Sequence, residues 1–535
     1  MTPIFLITAL SLLSAAAGQA VPGTQPTVTV SGGPVAGTSV GSVNQFLGIP
    51  FAVSPPTRFN PPQSAPAWPG TLDATQYKPA CIQQFNYPEN SRENTIKWFS
   101  TPGPPAGESE DCLYLNVYAP AGAVPGSNKA VMFWIFGGSF TFGTGTLPQY
   151  NGTSFAENQD VIIVTHNYRT NVFGFPGSTE KPTSQQNLGF LDQRLALDWV
   201  RNNIRSFGGD PNHIVLFGES AGAQSVDVLV TNPPKPVPFV GAIMESGQDT
   251  ISTPSTASAQ SWLKLVVATN CATATSPLAC VRAVSATAIK SIIEHQQLSF
   301  APIYDNGVTW KGTGRVDRRR STPANPIIAR VPIMIGSNAD EGTFVVYEVT
   351  GNSSAILSQE FPPNSSLLIS TVLSRYPPNT GNGPVNTQLA AILNDFLIKC
   401  PTKVVSTETA AVGIPAWRYY FDAAFANTQI FPGAGAYHSA EISLVFGTYP
   451  QAGATPYQIK LSMAMQKAWA DFAKNPAQGP GWQAVPEIVI FGAGVRPGGN
   501  DGTGKPTSVT TSPNQIDRFC YLYQPIYDAA ILLSP

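Results

Sequence analysis

The residues most able to do chemistry lie in the run FGGDPNHIVLFGESAG, residues 207–222, which sets Ser220 in a Gly-x-Ser-x-Gly pentapeptide. A serine held this way is a candidate nucleophile, because glycines at 218 and 222 leave room where a strand turns sharply into a helix. The pentapeptide alone says little, since chance supplies roughly 0.3 of them in a chain this rich in Gly and Ser. Its surroundings add the missing context. Ile214 to Phe217 is a short apolar, β-branched run suited to a buried parallel strand, and Ala221 to Val230 is compatible with a following helix.

A serine hydroxyl is a poor nucleophile at neutral pH, so Ser220 needs a base in hydrogen-bond reach and a carboxylate to fix the tautomer of that base. The chain holds four histidines, His166, His213, His295 and His438. Where a nucleophile occupies a strand-to-helix turn of this kind, the chain order is nucleophile, acid, histidine, which leaves His295 and His438. His295 lies in SIIEHQQ, a helical pattern, whereas His438 sits in the loop GAGAYHSAE, which can present a side chain to a cleft. His438 is therefore the preferred base. Asp249, Asp305, Asp340 and Glu341 are candidate acids; the last two follow the strand-like IMIG in IGSNADEGTF, and residue chemistry does not separate Asp340 from Glu341. Acyl transfer also needs donors aimed at a developing oxyanion. The amide of Ala221 is one, and the loop after VMFWIF supplies Gly137, Gly138 and Ser139.

Positioning these groups requires a sheet. Apolar strand candidates at 130–135, 161–165, 214–217, 240–244 and 331–335 alternate with longer, partly helical stretches, the pattern of an α/β fold with a large, mostly parallel central sheet flanked by helices. Residues 28–51 read as short strands broken by glycines, a small N-terminal β region, and a proline-rich stretch to Pro69 reads as an ordered surface loop. Leu188, Leu191, Leu195 and Trp199 recur at helical spacing and mark a helix packed on the sheet, stopped by Gly208-Gly209; residues 457–474 form a second helix ended by Asn475-Pro476.

The 535 residues carry no charge block or low-complexity linker, so one large unit over 21–535 is expected. Only 12% are charged, against about a quarter in typical domains, and 42% are hydrophobic, so material for a core is ample. A net charge of −2 and the lack of a basic patch with interleaved aromatics exclude nucleic acid as the expected partner. Residues 1–20, with an apolar core from Ile4 to Leu13 and small residues up to Ala20, read as a secretory signal peptide, with cleavage after Gly18 or Ala20. No later segment reaches membrane-spanning length, which leads to the expectation of a secreted, extracellular protein without integral membrane association. The even set of Cys81, Cys112, Cys271, Cys280, Cys400 and Cys520 suits three disulfides in that compartment. Metal is not expected, because no CxxC spacing exists and histidines are few. Asn151, Asn352 and Asn364 each open an Asn-x-Ser/Thr sequon, a candidate glycan site.

Several longer runs are similar to landmarks of the type B carboxylesterases, the family that includes cholinesterases and some fungal lipases. These are FLGIPFAVSPP with Arg58-Phe59, EDCLYLNVYAP at 110–120, NYR at 167–169, LGFLDQRLALDWVRNNI and FGGDPNHIVLFGESAG, and they run through most of the chain after the leader. The resemblance implies an α/β-hydrolase fold and a serine esterase that needs no cofactor. It implies Ser220 as nucleophile, Glu341 as acid, His438 as base, and Gly138, Ser139 and Ala221 as oxyanion donors. It also implies the pairings Cys81–Cys112, Cys271–Cys280 and Cys400–Cys520, and structural ion pairs Arg58–Glu110 and Arg169–Asp192. Ser139 stands where the family commonly has a third glycine, and so must tolerate the backbone angles of that position. Trp98, inside the Cys81 to Cys112 loop, is spaced differently from the choline-binding tryptophan of cholinesterases and reads as an ordinary loop aromatic. The expected substrate is a small-molecule or lipid ester. A general carboxylesterase is the leading reading, followed by a triacylglycerol lipase with the Cys81–Cys112 loop as flap and then a non-catalytic adhesion or binding protein.

Overall fold

Short apolar strands separated by helices can bury both faces of a sheet only by packing helices on each side. The computed structural model describes residues 25–250, 256–361, 365–379 and 383–532. Residues 1–20, read as a signal peptide, and the sequon at Asn364 lie outside the described residues. The large sheet contains β1 (Thr38–Val40), β2 (Val43–Pro50), β3 (Tyr114–Pro120), β4 (Lys129–Ile135), β5 (Ile162–His166), β6 (Gly209–Glu219), β7 (Gly241–Glu245), β8 (Ile333–Asn338), β9 (Ala416–Ala423), β10 (Ile488–Val495) and β11 (Ser508–Thr511). Across the sheet the order is β11-β10-β9-β8-β7-β6-β4-β5-β3-β2-β1. From β10 to β5 every neighbouring pair is parallel, and the pairings beyond are antiparallel. A separate small sheet joins residues 27–30 and 33–36, in the expected N-terminal β region, to residues 72–73 beyond it.

All five expected α/β strands form, each within a few residues of its expected bounds except β6, which extends back to Gly209. Strands β5, β7 and β8 are buried along their whole length. The helices that position the site are α1 (Glu89–Phe99), α2 (Leu188–Asn203), α3 (Ala221–Thr231), α4 (Ala286–His295) and α5 (Pro456–Lys474). Helix α3 packs on β6 and β7, α2 on β6, and α5 on β4, β6 and β10. Helix α2 passes into a short 3₁₀ turn that Gly208 ends at φ 88°, as the glycine pair leads one to expect.

The buried face of α2 differs from the expected stripe. Leu188 and Trp199 are buried, but Leu191 and Leu195 are half-exposed, and Asp192, Gln193, Ala196 and Val200 fill the interior instead. The cause is polar pairing. Arg169 holds Asp192 through Nε at 2.8 Å and Nη2 at 2.7 Å, and Gln193 donates to Ser225 Oγ of α3 at 3.1 Å. A second fork joins Arg58 Nε to Glu110 at 2.6 Å. The structure joins Cys81 to Cys112, Cys271 to Cys280 and Cys400 to Cys520, the pairing the family resemblance implies.

The Arg169–Asp192 pair is closed to water. The two side chains are 5% and 0% exposed, so Asp192→Ala strands a buried guanidinium and is expected to cost about 3–5 kcal/mol. A lowered denaturant midpoint at constant slope checks it, and an unchanged midpoint contradicts it.

Candidate active site

Ser220 occupies the step from β6 into α3 with φ 56° and ψ −123°. Non-glycine residues seldom adopt such angles, and holding one there costs about 1–3 kcal/mol. Several close backbone contacts enforce it. The Ser220 amide donates to the Glu245 carbonyl at 2.8 Å. A Cβ on Gly222 would lie 2.0 Å from the Ile135 carbonyl oxygen, and one on Gly218 would lie 2.7 Å from the same atom. Both glycines of the pentapeptide are thus required by the approach of the β4 end to the turn.

Loop residues Gly137 to Ser139 continue from β4 across this turn. A Cβ on Gly137 would meet Ser220 Cβ at 2.9 Å, which brings the loop against the serine. Gly138 has φ 104° and Ser139 φ 54°, so Ser139 takes left-handed angles that a side chain tolerates at some cost. Among the described residues, the amides of Gly138, Ser139 and Ala221 donate to no other group of the chain. Ser139, Ser220 and Ala221 line one lobe of the cleft, and Gly138, Ser139 and Ser220 line another with His438. The amides named from sequence as oxyanion donors are therefore gathered around the serine.

His438 lies in the loop before residues 442–445, and its Nδ1 is 2.7 Å from Glu341 Oε2. Glu341 is 2% exposed, and its Oε1 accepts from Ser246 Oγ and from the Asn338 amide, each at 2.6 Å. Asp340 turns away, accepting from the Ala436 amide at 2.8 Å and lying 3.4 Å from Arg496. Of the two adjacent carboxylates only Glu341 meets the imidazole. Of the other candidate acids, Asp305 accepts from the amides of Thr309 and Trp310, and Asp249 accepts from Trp310 Nε1. The remaining histidines are elsewhere. His295 ends α4, stacked 4.0 Å from Tyr87; His213 contacts the Ala473 carbonyl at 2.7 Å; and burial in the core pushes His166 down to about 3.

Glu219 also reaches the imidazole, a role that its residue type does not announce in the sequence. Its Oε1 lies 3.1 Å from His438 Nε2 and accepts from Ser439 Oγ at 2.6 Å. Its only sequence signal is its place beside Ser220 at the buried end of a strand. Glu245 and Glu441 are also buried nearby: Glu245 accepts from Trp469 Nε1 at 3.0 Å, and Asn338 Nδ2 binds Glu441. Burial raises the pKa of Glu219 and Glu245 and pushes Glu441 up to about 8. Burial alone would lower His438, but Glu219, Glu341 and Glu441 outweigh it and hold the imidazole up to about 9.

The lobe shared by Ser220 and His438 holds about 60 Å³, and the lobe beside Ala221 about 400 Å³. Phe99, Phe142 and Phe344 form a collar that opens from the His438 side to a mouth under α1. Phe344 also stacks on His438 at 5.3 Å. Trp98 belongs to the mouth, packed at 5.1 Å against both Tyr347 and Phe431, and not to the lobe that holds Ser220. Asn151 is half-buried, with Oδ1 accepting from the Thr153 amide at 2.9 Å, while Asn352 is exposed and caps residues 353–360. No helix among the described residues is long and apolar enough to cross a membrane.

Comparison with known proteins places this geometry in context. Residues 24–488 match the model of the carboxylesterase family. The chain is 32% identical over 514 residues to the fumonisin B1 esterase of Sphingopyxis macrogoltabida, covering 89% of this chain and 88% of that protein. It is 31% identical over 485 residues to the acetylcholinesterase of Bungarus fasciatus and 32% over 486 to the cholinesterase of Mus musculus, covering 84% of this chain and 78% of each relative.

The carboxylates around His438 set the pH at which it can act. The neutral imidazole is the form that takes a proton, and the Glu219 carboxylate favours the charged form. Glu219→Gln should therefore lower the His438 pKa and move the acid limb of kcat/KM down by about one pH unit. A limb that stays in place or moves up contradicts this.

Proposed function

The chain belongs to the carboxylesterase family and is a carboxylic ester hydrolase, and we propose that it works through an acyl-enzyme on Ser220. His438 takes the Ser220 proton as Oγ attacks the ester carbonyl carbon, with Glu341 holding the imidazole through Nδ1. The carbonyl oxygen becomes an oxyanion held by the amides of Gly138, Ser139 and Ala221. As the tetrahedral intermediate collapses, the C–O bond to the alcohol breaks and His438 returns the proton to the leaving oxygen. Water, activated by the same imidazole, then releases the acid and regenerates Ser220. The observation that carries this reading is the 2.7 Å contact of His438 with Glu341 in a cleft that Ser220 shares.

Triacylglycerol lipase activity is a second reading, favoured by the position of α1. This helix lies within the Cys81–Cys112 loop, buries no residue fully, and covers the mouth of the cleft with Phe99. The leader-like residues 1–20, the three disulfides and the exposed Asn352 support export to an extracellular compartment with a glycan at Asn352. Residues 21–535 act in this reading as one catalytic unit.

Ser220→Ala should abolish hydrolysis of short esters while folding is retained; persistent activity contradicts the mechanism. His438→Ala should do the same and His295→Ala should not, and the opposite pattern would replace the base. A rate jump when an ester series passes its solubility limit would favour lipase over esterase.

A further inference from the structure

Helix α1 divides its side chains sharply by charge. At about 100° per residue, Asn90, Ser91, Asn94, Thr95 and Trp98 fall on one side, and the charged Glu89, Arg92, Glu93 and Lys97 fall on the other. The uncharged side lines the mouth of the cleft, a cavity of about 480 Å³, and no charged residue of α1 reaches it. The charged side is used elsewhere: Arg92 lies 3.9 Å from Glu294 and over the Tyr87 ring at 5.7 Å.

The groups presented there are amides and hydroxyls, which both donate and accept. Asn90 Nδ2 reaches Glu348 of the opposite wall at 3.5 Å, and Thr95 Oγ1 donates to the Ser91 carbonyl at 2.9 Å, leaving its lone pairs free. Ser91 and Asn94 hydrogen-bond through their side chains to no other group among the described residues. Glu348 is the one charged lining residue among those described and accepts from Asn90. Rings of Trp98 and Tyr347 add apolar faces beside the polar ones. Such a surface matches a ligand dense in hydroxyls with apolar C–H faces between them. The mouth shares Phe99, Ser139, Phe142 and Phe344 with the His438 lobe and, with the lobe beside Ala221, Ser139 alone. The group that passes through the collar is therefore the leaving alcohol, which His438 protonates.

We propose that the uncharged face of α1 and the facing loop form an outer subsite for the alcohol portion of the ester, and that this alcohol is a sugar or polyol; the assignment of the leaving side rests on the role proposed for His438. Two butanoates of similar size test it, 6-O-butanoylglucose and cyclohexylmethyl butanoate. The native enzyme should show the lower KM on the glucose ester, and Ser91→Ala/Asn94→Ala should raise that KM by about three- to tenfold per hydrogen bond removed while leaving the cyclohexylmethyl ester unchanged. Equal KM values in the native enzyme, or equal loss on both esters in the variant, overturn the proposal. A binding measurement keeps it separate from the catalytic reading. Ser220→Ala protein should bind 6-O-butanoylglucose by calorimetry, more weakly when Ser91 and Asn94 are also replaced. Absence of binding overturns the subsite, whereas binding in a protein whose native form does not turn over short esters overturns the mechanism and leaves the subsite standing.

Discussion

Between Gly222 and the carbonyl oxygen of Ile135 there is no room for a methyl group, since a Cβ on that glycine would sit 2.0 Å from the oxygen. That approach fixes where β4 ends relative to the turn after β6. Because it does, the loop leaving β4 must cross directly over Ser220, with Gly137 against the serine and the amides of Gly138 and Ser139 beside it. The strained angles of Ser220 persist because its amide is held by Glu245 and its carbonyl is crowded by Gly247, at 2.2 Å from a Cβ built there. The serine is thus preorganised by backbone packing, which needs no reorganisation as charge develops.

Around this rigid centre the acid and base come from loops that follow β8 and β9, far apart in sequence. Glu341 is buried and satisfied by Ser246, Asn338 and His438, so its carboxylate is locked in one orientation. Three further carboxylates lie buried around the site. Glu219, Glu245 and Glu441 are taken out of water near one imidazole, and their burial raises all three. The fields of Glu219, Glu341 and Glu441 favour the imidazolium that forms during proton transfer, while also demanding a higher pH before the free base is available.

How much of this is legible in the sequence depends on whether the cause is local. Ser220 and its glycines can be read because the turn imposes its residue types within five positions. The strands at β4 to β8 are legible because near-complete burial demands apolar runs. Strands β9 and β10 are not legible in this way: β9 carries Arg418, buried against Asp517 at 2.7 Å, and β10 carries Gly492 and Gly494, so neither reads as a clean apolar segment. The buried face of α2 is obscured for the same reason, because Asp192 and Gln193 enter the interior only with partners supplied by other elements. Glu219 and His438 meet although they lie 219 positions apart in the chain. Residue chemistry leaves Asp340 and Glu341 equal; family resemblance and the geometry of the β8 turn distinguish them.

If Ser220 carries the acyl group, the mass of that group is readable on the protein itself. Mixing the enzyme with excess p-nitrophenyl butanoate and quenching before steady state should give a burst of one p-nitrophenolate per chain and a butanoyl mass on the peptide containing Ser220. Turnover without any covalent adduct, or an adduct on a different residue, would contradict the account.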